Sequence, residues 1–107
     1  MDRRLFEVLL SGNNYVFGFA GFEESEDFSK IMKIIEEEIR PNRCNGGGLE
    51  DKLGYFDKDG FRVEVEFNSI MGNFLVYQGQ RSDENLAKIR EWAKIIFDNL
   101  MLGIGNK

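Results

Sequence analysis

The sequence predicts an α+β protein of two layers, an antiparallel sheet of about five strands with two helices packed on one face. Three observations lead there. Phe61 to Asn68 alternates without a break, with Phe61, Val63, Val65 and Phe67 on one side and Arg62, Glu64, Glu66 and Asn68 on the other. That is the pattern of a sheet with one wet face. Two further segments, Glu23 to Arg40 and the stretch after Ser82, repeat apolar residues at helical spacing. Every link between consecutive strands is short enough for a hairpin, and hairpins make antiparallel neighbours. With 107 residues, 42% hydrophobic and 13% aromatic, the chain has material for one core and a single domain, residues 1–107.

Leu5 to Leu10 sets Phe6, Val8 and Leu10 on one face and Leu5, Glu7 and Leu9 on the other. Ser11-Gly12-Asn13-Asn14 is rich in residues that tolerate positive φ. Tyr15 to Phe22 resumes an aromatic alternation, so the pair reads as a β-hairpin. Gly18 and Ala20 leave one face of its second strand bare, as though a helix approached closely. In the helix from Glu23 to Arg40, Ser25 is the expected cap, and Glu23, Glu24, Glu26 and Asp27 suit the positive end of the helix dipole. Phe28, Ile31, Met32, Ile35 and Ile39 form its buried stripe, and Pro41 ends it. Asn42 to Lys52, containing Asn45-Gly46-Gly47-Gly48, is expected to be a flexible loop. Leu53 to Asp57 reads as a short strand, Lys58-Asp59-Gly60 as a hairpin turn and Asn73 to Gly79 as the last strand. The second helix is capped by Ser82 and carries the stripe Leu86, Ile89, Ala93, Ile96, Phe97, Leu100 and Met101. Gly103 and Gly105 are expected to stop it. The order is β-β-α-β-β-β-α.

Charge and composition exclude more than they assign. Fourteen basic and nineteen acidic residues give a net charge of −5. Affinity for nucleic acid comes mainly from Lys and Arg neutralising phosphates, so a nucleic-acid partner is disfavoured. An anionic membrane surface is disfavoured for the same reason. A basic protein partner is favoured, since complementary fields speed encounter. There is no histidine, the residue most used as general base and metal ligand. The single cysteine, Cys44, can make neither an internal disulfide nor a thiolate zinc cluster. It reads as an incidental thiol in a reducing compartment. No run approaches the roughly 20 apolar residues that span a bilayer, and the early run Leu5 to Leu10 is interrupted by Glu7. A cytoplasmic protein is the expectation, with no cofactor and no metal.

Candidate chemistry is sparse. Asp57-Lys58-Asp59-Gly60 begins like a calcium loop, but the twelfth position, where a bidentate Glu is needed, is Asn68. The triple glycine follows a helix and leads to a strand, the reverse of a phosphate-binding loop. Glu64 and Glu66 share a strand face about 7 Å apart, with Arg62 beside them, which suits a solvated ionised pair better than a general acid and base. From Glu23 to Arg40 there are seven acids and three bases. Within that segment Glu36-Glu37-Glu38 lies at the negative end of the helix dipole, where acids are locally unfavourable. Trp92, Ile95 and Leu102 fall off the stripe of the last helix, as Ile34 does on the first. Trp is enriched at interface hot spots, so Trp92 and Ile95 mark a candidate self-association surface, as in a homodimer.

These features point to a binding protein without catalysis. Its expected contact residues are Glu36, Glu37, Glu38, Glu64, Glu66, Asp57 and Asp59, with Tyr55 or Tyr77 as aromatic anchors. In charge, size and layout the chain resembles the immunity proteins that neutralise bacterial toxins, often nucleases. The resemblance implies that its carboxylates engage the Lys and Arg that such a toxin uses for phosphate. Two other classes remain open. One is a small-ligand module walled by Tyr15, Phe17 and Phe19; the other is a self-associating structural or adaptor subunit.

Overall fold

The alternation of Phe61 to Asn68 produces a strand of those eight residues, with Val63, Val65 and Phe67 buried and Arg62, Glu64 and Glu66 on the other side. The computed structural model describes residues 3–10, 14–79 and 82–105. Its elements are β1 (Arg4–Leu10), β2 (Asn14–Ala20), α1 (Ser25–Ile34), β3 (Arg43–Gly47), β4 (Lys52–Lys58), β5 (Phe61–Asn68), β6 (Gly72–Tyr77) and α2 (Asp83–Gly105). A π-helical turn, Ile35–Ile39, continues α1. The expected turn at residues 11–13 lies outside the described residues.

All six strands join one antiparallel sheet in the order β1-β2-β6-β5-β4-β3. The chain lays down β1 and β2, crosses under α1 to the far edge, then returns strand by strand until β6 closes against β2. The sheet therefore has six strands where about five were expected. The additional one is β3, drawn from the glycine-rich segment expected to be a flexible loop. Its glycines serve close packing. Gly46 faces Gly54 across the β3–β4 ladder. A Cβ on Gly54 would stand 2.8 Å from the Asn45 carbonyl oxygen and 3.2 Å from Met32 Sδ, and one on Gly46 would stand 3.2 Å from the Phe28 ring. Bare backbone here lets α1 settle onto the edge of the sheet.

Both helices lie on one face. Phe28, Ile31, Ile35 and Ile39 from the first and Leu86, Ile89, Ala93, Ile96 and Leu100 from the second meet Phe17, Phe19, Phe56, Val63, Val65 and Leu75 from the sheet. The cap of α1 is Glu24, one residue before the expected Ser25; the Glu24 amide donates to Asp27 Oδ2 at 3.1 Å. Arg40 ends the segment with φ of 55°, its amide donating to the Ile35 carbonyl. At α2 the Asn85 amide donates to Ser82 Oγ at 3.1 Å, as expected of a cap. The helix runs through Gly103 to Gly105, because one glycine weakens a helix by only about 1 kcal/mol. Asn73, buried on β6, ties sheet to helix: its Nδ2 donates to the carbonyls of Phe22 and Glu24 at 2.9 and 3.0 Å. Asp59 and Gly60 both have positive φ and turn β4 into β5, as a two-residue Asp-Gly hairpin requires.

The off-stripe tryptophan is explained by the same layering. Trp92 is 3% exposed and meets the Phe56 and Phe61 rings edge-on, each at 5.6 Å. Phe56 of β4 and Phe61 of β5 thus bury a second flank of α2 beside its main stripe. Ile95 is half-buried against the same core. The expectation of a self-association surface is corrected at Trp92, whose indole is spent inside the molecule, while Ile95 keeps part of its side chain at the surface. Tyr15, Phe17 and Phe19, the expected wall of a ligand pocket, are 7%, 1% and 1% exposed and form core instead.

Candidate partner-binding face

The face of the sheet opposite the helices carries no covering element among the described residues, and strand register puts its side chains in rows. One row crosses all six strands as Val8, Val16, Val76, Glu64, Tyr55 and Asn45. The next runs Phe6, Gly18, Phe74, Glu66, Leu53 and Gly47. The face is thus divided lengthwise, apolar over β1, β2 and β6, acidic and aromatic over β5 and β4. Val16, Phe74 and Val76 form a second apolar cluster, each no more than 7% exposed without any helix above them. Their cover is side-chain cover from neighbouring strands. Gly18 shows how: a Cβ there would fall within 2.6 Å of three Phe6 ring atoms, so the ring lies flat over bare backbone. The close approach that Gly18 implied is made by this phenylalanine and not by a helix.

Glu64 and Glu66 emerge on this face because they alternate with buried Val63 and Val65. Glu66 stands between Phe74 and Leu53. Loss of water beside these apolar neighbours, and then the charge of Glu64, raise its carboxyl above the ordinary glutamate range. Among the described residues neither Glu64 nor Glu66 makes an ion pair. The nearby Arg62 feels the Glu64 charge, but its hydrogen bonds go elsewhere. Arg62 donates to both oxygens of Asp57, at 2.7 and 2.8 Å, and stacks over the Tyr55 ring at 4.2 Å. The bidentate bond from Arg62 holds the Asp57 carboxyl below the ordinary aspartate range. A shallow depression of about 430 Å³ lies between β3 and β5, lined by Asn45, Leu53, Tyr55, Arg62 and Glu64 among others. A second, near the Asp59-Gly60 turn, is bordered by Arg62, Glu64, Tyr77 and Asn85.

The expected contact residues divide between two surfaces. Glu64, Glu66, Asp57 and Tyr55 share the open face, and Asp59 stands at its margin in the hairpin turn. Glu36, Glu37 and Glu38 are exposed in the π-helical turn, in the helix layer on the opposite side, so one flat partner cannot touch both groups. Tyr77 is 4% exposed. Its ring packs on Phe61 at 5.9 Å and its hydroxyl accepts a bond from Asn85 Nδ2, which makes it a wall and not an anchor. Cys44 is half-buried beneath α1; burial, and then Glu36, push its thiol above the ordinary range, away from nucleophilic use. The apolar half of the face is absent from the expected contact residues, although the alternation of Phe6, Val8 and Leu10 contained it.

Among the described residues no group of three or more acidic or cysteine side chains could hold a metal ion, and no helix is long and apolar enough to cross a membrane. Comparison of the chain with protein-family models, curated proteins and solved structures gives no match.

Proposed function

We propose that this protein is a non-catalytic binder that presents the open face of its sheet to a basic protein partner in a reducing, cytoplasmic compartment. The observation that carries the reading is the pair Glu64 and Glu66, which make no ion pair among the described residues and are set against an apolar strip while the adjacent Arg62 is bonded to Asp57. A partner segment combining apolar side chains with Lys or Arg meets both halves of such a face. Apolar residues cover Phe6, Val8 and Leu53, and the cation supplies the charge that Glu64 and Glu66 lack. Charge-assisted hydrogen bonds in a partly dewatered setting are the strong ones. In its specific form the reading is an immunity-type inhibitor: carboxylates occupy the Arg and Lys with which a toxin, such as a nuclease, grips phosphate, and so block its substrate.

The test is capture of the product of a neighbouring reading frame. Glu64→Gln/Glu66→Gln is expected to weaken the complex at least tenfold, whereas Glu36→Gln/Glu37→Gln/Glu38→Gln leaves it within a factor of two or so, since one lost charged bond is worth about 1.5–3 kcal/mol. The reverse pattern moves the interface to the helix layer. Equal retention by both variants removes carboxylates from the reading altogether.

A further inference from the structure

The two edges of the sheet are treated differently. An edge strand exposes a row of unpaired N–H and C=O groups, and proteins ordinarily blunt it with brevity, charge, glycine or proline, or a bulge. At one edge β3 is five residues long, contains Gly46 and Gly47, starts at Arg43, and has the Gly46 amide turned to Asn45 Oδ1 at 2.8 Å. At the other, β1 runs seven residues in unbroken register with β2. It has no glycine, proline or lysine. Apolar residues are exposed on both of its faces, Phe6 at 38%, Val8 at 40% and Leu10 at 47% on the open side and Leu9 at 46% on the helix side. One charge, Arg4, stays exposed on the open side at the end of the strand, while the others are engaged within the molecule. Glu7 is held by both Nε and Nη2 of Arg90 at 2.8 and 2.9 Å, and Arg3 lies over the Phe22 ring.

From this we infer that β1 pairs antiparallel with β1 of a second copy of the chain, about a two-fold axis through Glu7, joining two sheets into one of twelve strands. The occupant is a second copy because this edge complements itself. With Glu7 on the axis, Phe6 lies opposite Val8 of the second copy and Leu5 opposite its Leu9, so the apolar residues at the centre keep their faces, and Arg4 falls opposite Leu10 at the ends of the seam, where its charge can reach water. The charges also match. Two Glu7–Arg90 pairs meet at the axis, two carboxylates and two guanidiniums summing to zero, so neither carboxylate arrives without its own cation. Repulsion between two chains of net charge −5 is small at this seam. Glu64 and Glu66 stand three strands inward, roughly 14 Å from β1 at the usual strand spacing, beyond the ~8 Å screening length of physiological salt. The four apolar side chains offer on the order of 300 Å² per copy, less than half the ~800 Å² per partner of a standard interface, so association is reversible and depends on concentration. The apolar strips of the two open faces become continuous across the seam.

Sedimentation equilibrium from micromolar to millimolar protein tests the pairing. The weight-average mass is expected to rise toward twice that of one chain. Val8→Lys, a charge on the open side of the edge, is expected to return it to a single chain at every concentration with an unchanged circular dichroism spectrum. The register is tested separately in a Cys44→Ser background. Glu7→Cys meets itself across the axis at a Cα separation of about 4.5–5.5 Å, within disulfide reach, and cross-links on oxidation. Leu10→Cys, whose two copies lie roughly 20 Å apart at strand rise, does not. A wild-type mass of one chain throughout, or a dimer untouched by Val8→Lys, overturns the proposal. Cross-linking of Leu10→Cys in preference to Glu7→Cys overturns the Glu7-centred register.

Discussion

Two carboxylates on the open face carry opposite pH signatures, and both follow from their neighbours. Glu66 sits in a partly dewatered row beside Glu64, so its folded-state value is raised. The native state then holds its proton more tightly than the unfolded chain does. The stability it contributes is present below the ordinary glutamate range and lost as pH rises through the raised value. Glu66→Gln is therefore expected to raise the urea midpoint at neutral pH and to flatten that loss, in unfolding curves taken across a pH series. Asp57 is the mirror case. The Arg62 bond lowers its value, so its contribution is present above the ordinary aspartate range and lost as pH falls through the lowered one; Asp57→Asn removes that acid-side loss. At Cys44, burial and Glu36 together keep the thiol protonated. A thiol-exchange reagent is expected to label it more slowly in the native protein than in the unfolded chain at the same pH.

At the scale of elements, legibility followed periodicity. β5 was readable from end to end because a period of two carries both its conformation and its buried face, and both helices were readable from their stripes, except that Met101, expected in the second stripe, is 39% exposed near the end of α2. β3 was not, since the glycines that mark it as a strand beneath α1 are the same residues that mark a loop in isolation. Only Gly54 on the neighbouring strand and Phe28 and Met32 on α1, brought together by the fold, distinguish the two. Gly54→Ala is expected to destabilise the protein by about 1–3 kcal/mol and to loosen β3 selectively, measured as faster amide exchange at Cys44 to Gly47. Trp92 was misplaced for a related reason. A wheel drawn for one helix cannot show that the sheet covers a second side of it, where Phe56 and Phe61 meet Trp92 edge-on. Trp92→Ala is expected to cost about 3–5 kcal/mol, read from denaturant unfolding. Asn73→Ala, which deletes the two bonds to the Phe22 and Glu24 carbonyls, is expected to cost about 1–3 kcal/mol.

The whole molecule is an asymmetric slab. One side is closed by two helices, and the other is left open with an apolar half and an acidic half. Strand order creates that division, and no local pattern in the chain encodes it. β2 and β6 are far apart in sequence, yet their pairing puts Val16 beside Val76 and Gly18 beside Phe74, which builds the strip that flanks the carboxylates. The acids themselves were legible as Glu64 and Glu66. Their separation from Glu36, Glu37 and Glu38, on opposite layers, was not. Binding of a cation to Glu66 favours its ionised form, so affinity for a basic partner is expected to fall as pH drops through the raised Glu66 value and as salt screens the pair. The most direct measurement is an amide and methyl chemical-shift map of the isotopically labelled protein titrated with the basic protein captured from the neighbouring reading frame. The open-face reading predicts the largest changes at Val8, Val16, Leu53, Tyr55, Glu64, Glu66 and Val76, with the helix layer nearly still. Changes concentrated at Glu36 to Glu38 and the outer surface of the helices would contradict it.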